Sequence, residues 1–177
     1  IGIEIENDNT KPIIGIADSS SDLNPCNLPL RKLIDDVKQG VIEAGGIPLV
    51  FPVTSLGEDL MKPSAMLYRN LLSIEVEENL RSYPIDGVVL LANCDKSVPG
   101  SLMGALSTDL PTIMLVAGAR PVANFNGKRI GTGTDLWRKW QEFRSGKISK
   151  NEWSEFEKCL NCGLASCNTM GTASSVA

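Results

Sequence analysis

Three chemically active side chains stand in a row at Cys94-Asp95-Lys96, a thiol, a carboxylate and an amine, directly after the apolar run Val88-Val89-Leu90-Leu91-Ala92. Such a run reads as a buried strand. In an open parallel sheet, ligands collect at the carboxyl ends of strands, where the next loop aims side chains into a shared crevice. Two further cysteines have polar settings of the same kind: Cys26 within Asn24-Pro25-Cys26-Asn27, and Cys167 within Ser166-Cys167-Asn168-Thr169. Taken singly, an intracellular cysteine is most often a small buried hydrophobe. The three lie much too far apart along the chain for a zinc knuckle, whose ligand pairs are separated by only a few residues. If strand ends bring the three thiolates together, they select an iron-sulfur cluster or another soft metal. Three thiolates leave one iron position without protein sulfur, and that position is a Lewis acid.

Glu58, Asp95 and Lys96 form a second constellation. Carboxylates in loops are usually solvated surface charge, yet Glu58 and Asp95 each follow an apolar strand, which would put both at one sheet edge. Two carboxylates there suit a hard cation such as magnesium, which takes few protein ligands and keeps positions for substrate. Lys96 would be repelled by that cation unless its amine were neutral or had reacted with carbon dioxide to give an anionic carbamate. Cys159 and Cys162 make a C-x-x-C, but with no second pair and no thioredoxin-like strand before it they read as structural. Gly131-Thr132-Gly133-Thr134-Asp135 lacks the third glycine of a dinucleotide fingerprint and follows a loop, so it is discounted.

Composition narrows the chemistry further. The 177 residues include no histidine, which removes Ser-His-Asp triads, Cys-His pairs and H-E-x-x-H zinc sites. Seventeen basic residues are scattered among 21 acidic ones for a net charge of -4, with no Lys/Arg run able to track phosphates, so no nucleic-acid partner is expected. No apolar run approaches the roughly 20 residues of a membrane span, and no secretory pattern opens the chain. The expected setting is the cytoplasm, without membrane association.

The elements that must position these groups are readable in order. Ile13-Ile14-Gly15-Ile16 is a strand closed by the polar loop Asp18 to Asp22. From Leu28, apolar residues at Leu30, Leu33, Ile34, Val37, Val41 and Ile42 form a helical stripe ended by Gly45-Gly46. Ile47 to Val53 is a second strand. Pro63 sits near the first turn of a helix running to about Ser82. Pro99 to about Leu106 is a short helix, and Thr112 to Val116 another strand. Residues Ala119 to Thr134 read as loop with a turn at Asn126-Gly127. Thr134 opens a helix with Trp137, Trp140 and Phe143 on its buried face, and Ser149 with Glu152 forms a capping box for the next. Strands alternating with helices predict an α/β fold, three layers with a largely parallel sheet flanked by helices. Residues 1–177 fit one such domain. A chain that begins at Ile1 and stops at Ala177 within helix-like sequence is expected to be the N-terminal piece of something longer.

Asp22-Leu23-Asn24-Pro25-Cys26-Asn27, Cys94-Asp95-Lys96-Ser97-Val98-Pro99 and Cys167-Asn168-Thr169-Met170-Gly171-Thr172-Ala173-Ser174 resemble the signatures of the dihydroxy-acid dehydratase and phosphogluconate dehydratase family, from about Pro12 to the end. Ser55-Leu56-Gly57-Glu58, Ala65-Met66-Leu67-Tyr68-Arg69-Asn70 and Gly131 to Trp137 look most like its pentonate (sugar-acid) dehydratases. The resemblance implies a [2Fe-2S] cluster on Cys26, Cys94 and Cys167, with magnesium on Glu58, Asp95 and a carboxylated Lys96. It also implies a hydro-lyase that converts an aldonate to a 2-keto-3-deoxy acid and works as a homodimer or a dimer of dimers. Asp95 and Lys96 are then the catalytic contribution of this segment, because the family's serine base and a further magnesium ligand belong to a C-terminal domain outside it. The rival readings are a branched-chain dihydroxy-acid dehydratase and a non-catalytic redox or metal-binding α/β module.

Overall fold

A computed structural model describes residues 11–160, 163 and 165–166. Four parallel strands, β1 (Ile13–Asp18), β2 (Ile47–Pro52), β3 (Gly87–Leu91) and β4 (Thr112–Leu115), lie in the order β2-β1-β3-β4. Parallel neighbours need crossovers, and these are helices: α1 (Ile34–Glu43), α2 (Arg69–Ser82) and α3 (Ser97–Leu106). The strands end nearly in line, with Asp18 paired to both Pro52 and Leu91, and Leu91 to Leu115. Pro48 and Pro52 are tolerated because β2 is an edge strand.

Side-chain alternation builds one core on each face of the sheet. Ile16 and Leu91 point to the face covered by Leu30, Ile34 and Val37. Their sequence neighbours Ala17 and Leu90, with Val88, point to the face covered by Leu72, Val76, Leu80 and Ala105. The three-layer arrangement expected from the sequence is therefore the one observed. On α2 the buried residues recur at every fourth position, Leu72, Val76 and Leu80. Each such burial is worth about 1.5–3 kcal/mol before the entropy of ordering is subtracted. Among the described residues, no helix is long and apolar enough to cross a membrane.

The apolar stripe from Leu28 begins as a 3₁₀ turn, Leu28–Leu33, and becomes α-helical at Ile34. Similarly, Ala65–Tyr68 is 3₁₀ before α2 starts at Arg69. Gly45 and Gly46 close α1 by donating their N–H groups to the carbonyls of Ile42 and Val41. Residues 119–134, read as loop, contain a hairpin: β5 (Ala123–Phe125) and β6 (Lys128–Ile130) flank Asn126 and Gly127 at φ 51° and 74°. These are the left-handed values a two-residue type I′ turn requires. Strands of three residues are too short to leave a periodic signal.

Helix α4 (Thr134–Arg144) also differs from expectation. None of its residues is buried, and Trp137 is 66% exposed. Phe143 instead stacks on Trp153 of α5 (Lys150–Leu160) and Trp140 lies tilted against it, while Phe156 of α5 meets Phe125 of the hairpin edge-on. The capping role of Ser149 is observed, its Oγ accepting the Glu152 N–H at 3.1 Å.

Helices α2 and α3 cross where Gly104 faces Ser73 and Val76, and a Cβ at 104 would lie 2.8 Å from Val76 Cβ and closer still to the Ser73 carbonyl. Gly40, inside α1, faces open space. The two glycines should therefore answer oppositely to alanine. Gly104→Ala is expected to destabilise by about 1–3 kcal/mol through overpacking, and Gly40→Ala to stabilise by up to about 1 kcal/mol through helix propensity. Urea unfolding midpoints measure both, with opposite signs.

Candidate functional site

The chain leaves β1 and β3 in opposite directions, toward β2 by way of α1 and toward β4 by way of α3. The carboxyl ends of these two adjacent strands are thus a topological switch point, where open α/β sheets bind ligands. The loop after β1 carries Cys26, the loop after β3 carries Cys94, Asp95 and Lys96, and the loop after β2 carries Glu58. The segment following β4 receives Ser166 as a parallel bridge partner of Ala119, with the Ser166 N–H bound to the Gly118 carbonyl at 3.2 Å.

Buried side-chain polar groups lock these loops together. Asn27, fully buried, shares the hydrogens of its Nδ2 among the hydroxyls of Ser19, Ser55 and Ser97 at 3.0–3.1 Å, two in the loops after β1 and β2 and one at the first residue of α3. Its Oδ1 accepts the Asn93 backbone N–H at 3.2 Å. Ser19 Oγ donates to the Leu91 carbonyl, and Ser97 Oγ donates to the Leu56 carbonyl while accepting the Leu56 N–H. Asn24 turns the Cys26 loop by accepting the Cys26 N–H on Oδ1 and ties it to Ser55 Oγ through Nδ2. Gly57 lies so close that any Cβ there would meet the Asn24 amide at 2.5–2.8 Å. Burial of this many polar atoms is tolerated because each finds a partner.

Within this frame Cys26 and Cys94 are 2% and 3% exposed and their thiols interact. That contact, together with burial, pushes the Cys94 thiol far above the ordinary range. Cys94 adopts φ 89°, a left-handed conformation rare for a residue with a Cβ and found where a site constrains its backbone. Its Sγ also lies 3.3 Å from Asp95 Oδ1.

The second constellation converges as well. Lys96 Nζ is 2.8 Å from Asp95 Oδ2 and 3.4 Å from Glu58 Oε1, with its side chain only 5% exposed. Burial disfavours the ammonium, but the hydrogen bond and charge of Asp95, with Cys94 and Glu58 behind it, outweigh that and raise the Lys96 pKa. Burial likewise opposes ionisation of Glu58, yet the Lys96 charge holds that carboxyl below its usual range. Two carboxylates thus enclose one positive charge. Their oxygens suit a hard divalent cation and the two neighbouring sulfurs a soft metal, so both donor sets fit the groups the sequence resemblance implies. Among the described residues, no three acidic or thiol side chains close around one point. A third oxygen ligand would have to come from a modified Lys96 or from outside.

Cys26 with Cys94, and Glu58 with Asp95 and Lys96, are brought together; Cys162 and Cys167 lie outside the described residues. Cys159 packs against the small cluster around Phe156 on α5, away from the sheet edge. The Gly131 N–H is bound by Asp135 Oδ2 at 3.0 Å, so this glycine-rich stretch closes onto the start of α4. Sequence reasoning passed over Asn24, Asn27, Asn93, Ser19, Ser55 and Ser97. The available signal was the run of small amides and hydroxyls on either side of the cysteines.

The family model described as dihydroxy-acid/6-phosphogluconate dehydratase N-terminal matches residues 11–177. The chain is 48% identical to a 6-deoxy-6-sulfo-D-gluconate dehydratase of Pseudomonas putida, over 99% of this chain and 30% of the relative. It is 47% identical to an L-arabinonate dehydratase of Rhizobium leguminosarum bv. trifolii, over 89% of this chain and 27% of the relative. A dihydroxy-acid dehydratase of Methanobrevibacter smithii is 38% identical over 97% of this chain and 32% of its own length. The chain therefore spans about a third or less of the curated relatives it matches. With the three-layer fold and the paired thiol and carboxylate clusters at its switch point, it belongs to the dihydroxy-acid/6-phosphogluconate dehydratase family, whose N-terminal region it represents.

Proposed function

We propose that this chain supplies the cluster-binding and magnesium-binding half of a hydro-lyase that dehydrates a sugar acid, an aldonate of the arabinonate or xylonate type, to a 2-keto-3-deoxy acid. The observation that carries the reading is the meeting of Cys26 and Cys94 beside the Lys96, Asp95 and Glu58 group at one switch point. Cys26, Cys94 and Cys167 would hold the [2Fe-2S] cluster; Glu58, Asp95 and carboxylated Lys96 would hold magnesium. The higher identity to relatives named for sugar acids than to one named for dihydroxy acids favours an aldonate over a branched-chain substrate.

The reaction removes a proton from C2 and the hydroxyl from C3 as water, and the resulting enol tautomerises to the ketone. When bound, magnesium and the cluster would supply Lewis acidity, the first toward the carboxylate and 2-hydroxyl and the second toward the 3-hydroxyl. The chain's own contribution is placement. Asp95 adjoins both groups, one oxygen 3.3 Å from Cys94 Sγ and the carboxylate 2.8 Å from Lys96 Nζ, so it fixes the spacing between them. The buried serine and asparagine frame beneath keeps these side chains from relaxing, as a preorganised site requires. The base that takes the C2 proton would come from the remainder of the full-length protein. A reducing cytoplasm suits a site built on thiols, and a homo-oligomer of the full-length chain is the assembly we expect.

Full-length protein purified anaerobically should contain iron and acid-labile sulfide in equal amounts and release 2-keto-3-deoxy acids from pentonates or hexonates at least tenfold faster than it dehydrates branched-chain dihydroxy acids. Absence of both iron and sulfide would overturn the reading. Cys94→Ser should abolish the visible absorption of the cluster. Lys96→Met should keep iron and sulfide but lose more than the roughly 10–100-fold in turnover that removing an outer partner of a metal ligand costs, and added magnesium should not restore it.

A further inference from the structure

Asn93 has no place in the chemistry just described, yet it is completely buried between the segments that carry the cysteines. Its Nδ2 donates to the Cys26 carbonyl at 2.7 Å. Its Oδ1 accepts the Ser166 hydroxyl at 2.7 Å, and Ser166 is the residue immediately before Cys167. Its own backbone N–H is held by Asn27 Oδ1 at 3.2 Å, and it is followed directly by Cys94. One side-chain amide thus binds one cysteine segment by its nitrogen and another by its oxygen, and is joined to the third by a peptide bond.

We infer that Asn93 is the positioning residue that brings the three cysteine segments into register with one another. An amide is the side chain suited to this, since it offers a donor and an acceptor on opposite atoms of one rigid plane. A carboxylate would repel the Cys26 carbonyl, and an apolar residue would leave that carbonyl and the Ser166 hydroxyl buried without partners. The Ser166 segment is also tied to the sheet edge by its backbone bridge to Ala119 and by Arg120, whose guanidinium donates to the Ala165 carbonyl at 3.5 Å. Both ties run to the segment after β4, whereas among the described residues the Asn93 contact is the one that refers Ser166 to the Cys26 loop. The inference rests on the cluster assignment only in saying what the register is for; the register itself can be measured without a cluster.

Two variants cut the amide's two bonds separately in the full-length protein. Asn93→Asp keeps the acceptor for Ser166 and loses the donor to Cys26. Ser166→Ala does the reverse at little cost in volume, and Ser166→Thr restores a hydroxyl. In apoprotein treated with diamide, which couples two thiols into a disulfide and is itself reduced to the hydrazine, peptide mapping should find Cys167 trapped with Cys26 or Cys94 in the wild type. Ser166→Ala should slow this trapping about three- to tenfold, the range expected for one net hydrogen bond, and leave Cys26–Cys94 trapping unchanged. Asn93→Asp should slow the trapping of Cys26 with either partner. In cluster-loaded protein, both variants should lose visible absorption to a chelator several-fold faster, with Ser166→Thr near wild type. Wild-type trapping in both variants, or no trapping of Cys167 in the wild type, overturns the inference. If no preparation holds a cluster but the trapping pattern changes as stated, the positioning role stands and the cluster assignment falls. A lowered unfolding midpoint with unchanged trapping marks Asn93 as a stabiliser only and overturns it as well.

Discussion

The side-chain amide of Asn27 is the contact on which the rest of this architecture depends. It is buried, sits immediately after a thiol, and reaches serines in the loops after β1 and β2 and at the start of α3. Loops normally lie on the surface because their backbone polar groups need water. Here they lie inward, and the amide and hydroxyl groups take the place of water. The cost of burying so many polar atoms is offset only if all of them are satisfied, which makes the arrangement all-or-none and therefore geometrically specific. The same low dielectric strengthens the neighbouring ion pairs.

Those ion pairs divide the sheet edge into two chemical territories. On one side are two polarizable sulfurs, the Cys94 thiol pushed up by its contact with Cys26 and by burial. On the other are hard oxygens around a buried ammonium. Asp95 stands on the border. Because Lys96 is the residue from which α3 departs, its charge also faces the positive end of that helix, an unfavourable placement that the two carboxylates counter. The two carboxylates thus hold a positive charge at a helix start that would otherwise disfavour it, as the raised pKa of Lys96 records.

Much of the fold was legible in the sequence, because each parallel strand is a short apolar run closed by a polar loop and each crossover helix carries a periodic stripe. The chemistry-bearing residues were legible too, since thiol, carboxylate and amine announce themselves by type. Strand order was not. Nothing in the run Val88 to Ala92 says that it pairs with β1 rather than β2, and this pairing alone sets Cys94 beside Cys26. The hairpin around Asn126-Gly127 was hidden by its length. Trp137 was misplaced because an aromatic at helical spacing says which residues share a face, not whether that face is covered. The asparagines were overlooked because an amide's role depends on what surrounds it, and only the fold supplies the surroundings.

The insertion of β3 between β1 and β4 has a temporal consequence. During synthesis the N-terminal strands emerge first, so β1, α1 and β2 can pair while the edge of β1 that β3 will occupy is still bare and the hydroxyl of Ser97 has yet to arrive. The Cys26 thiol then waits without its neighbour through the making of an entire further helix. Contacts between such distant parts of a chain are the slow step of folding, which makes the meeting of Cys26 with Cys94 an event of the finished domain.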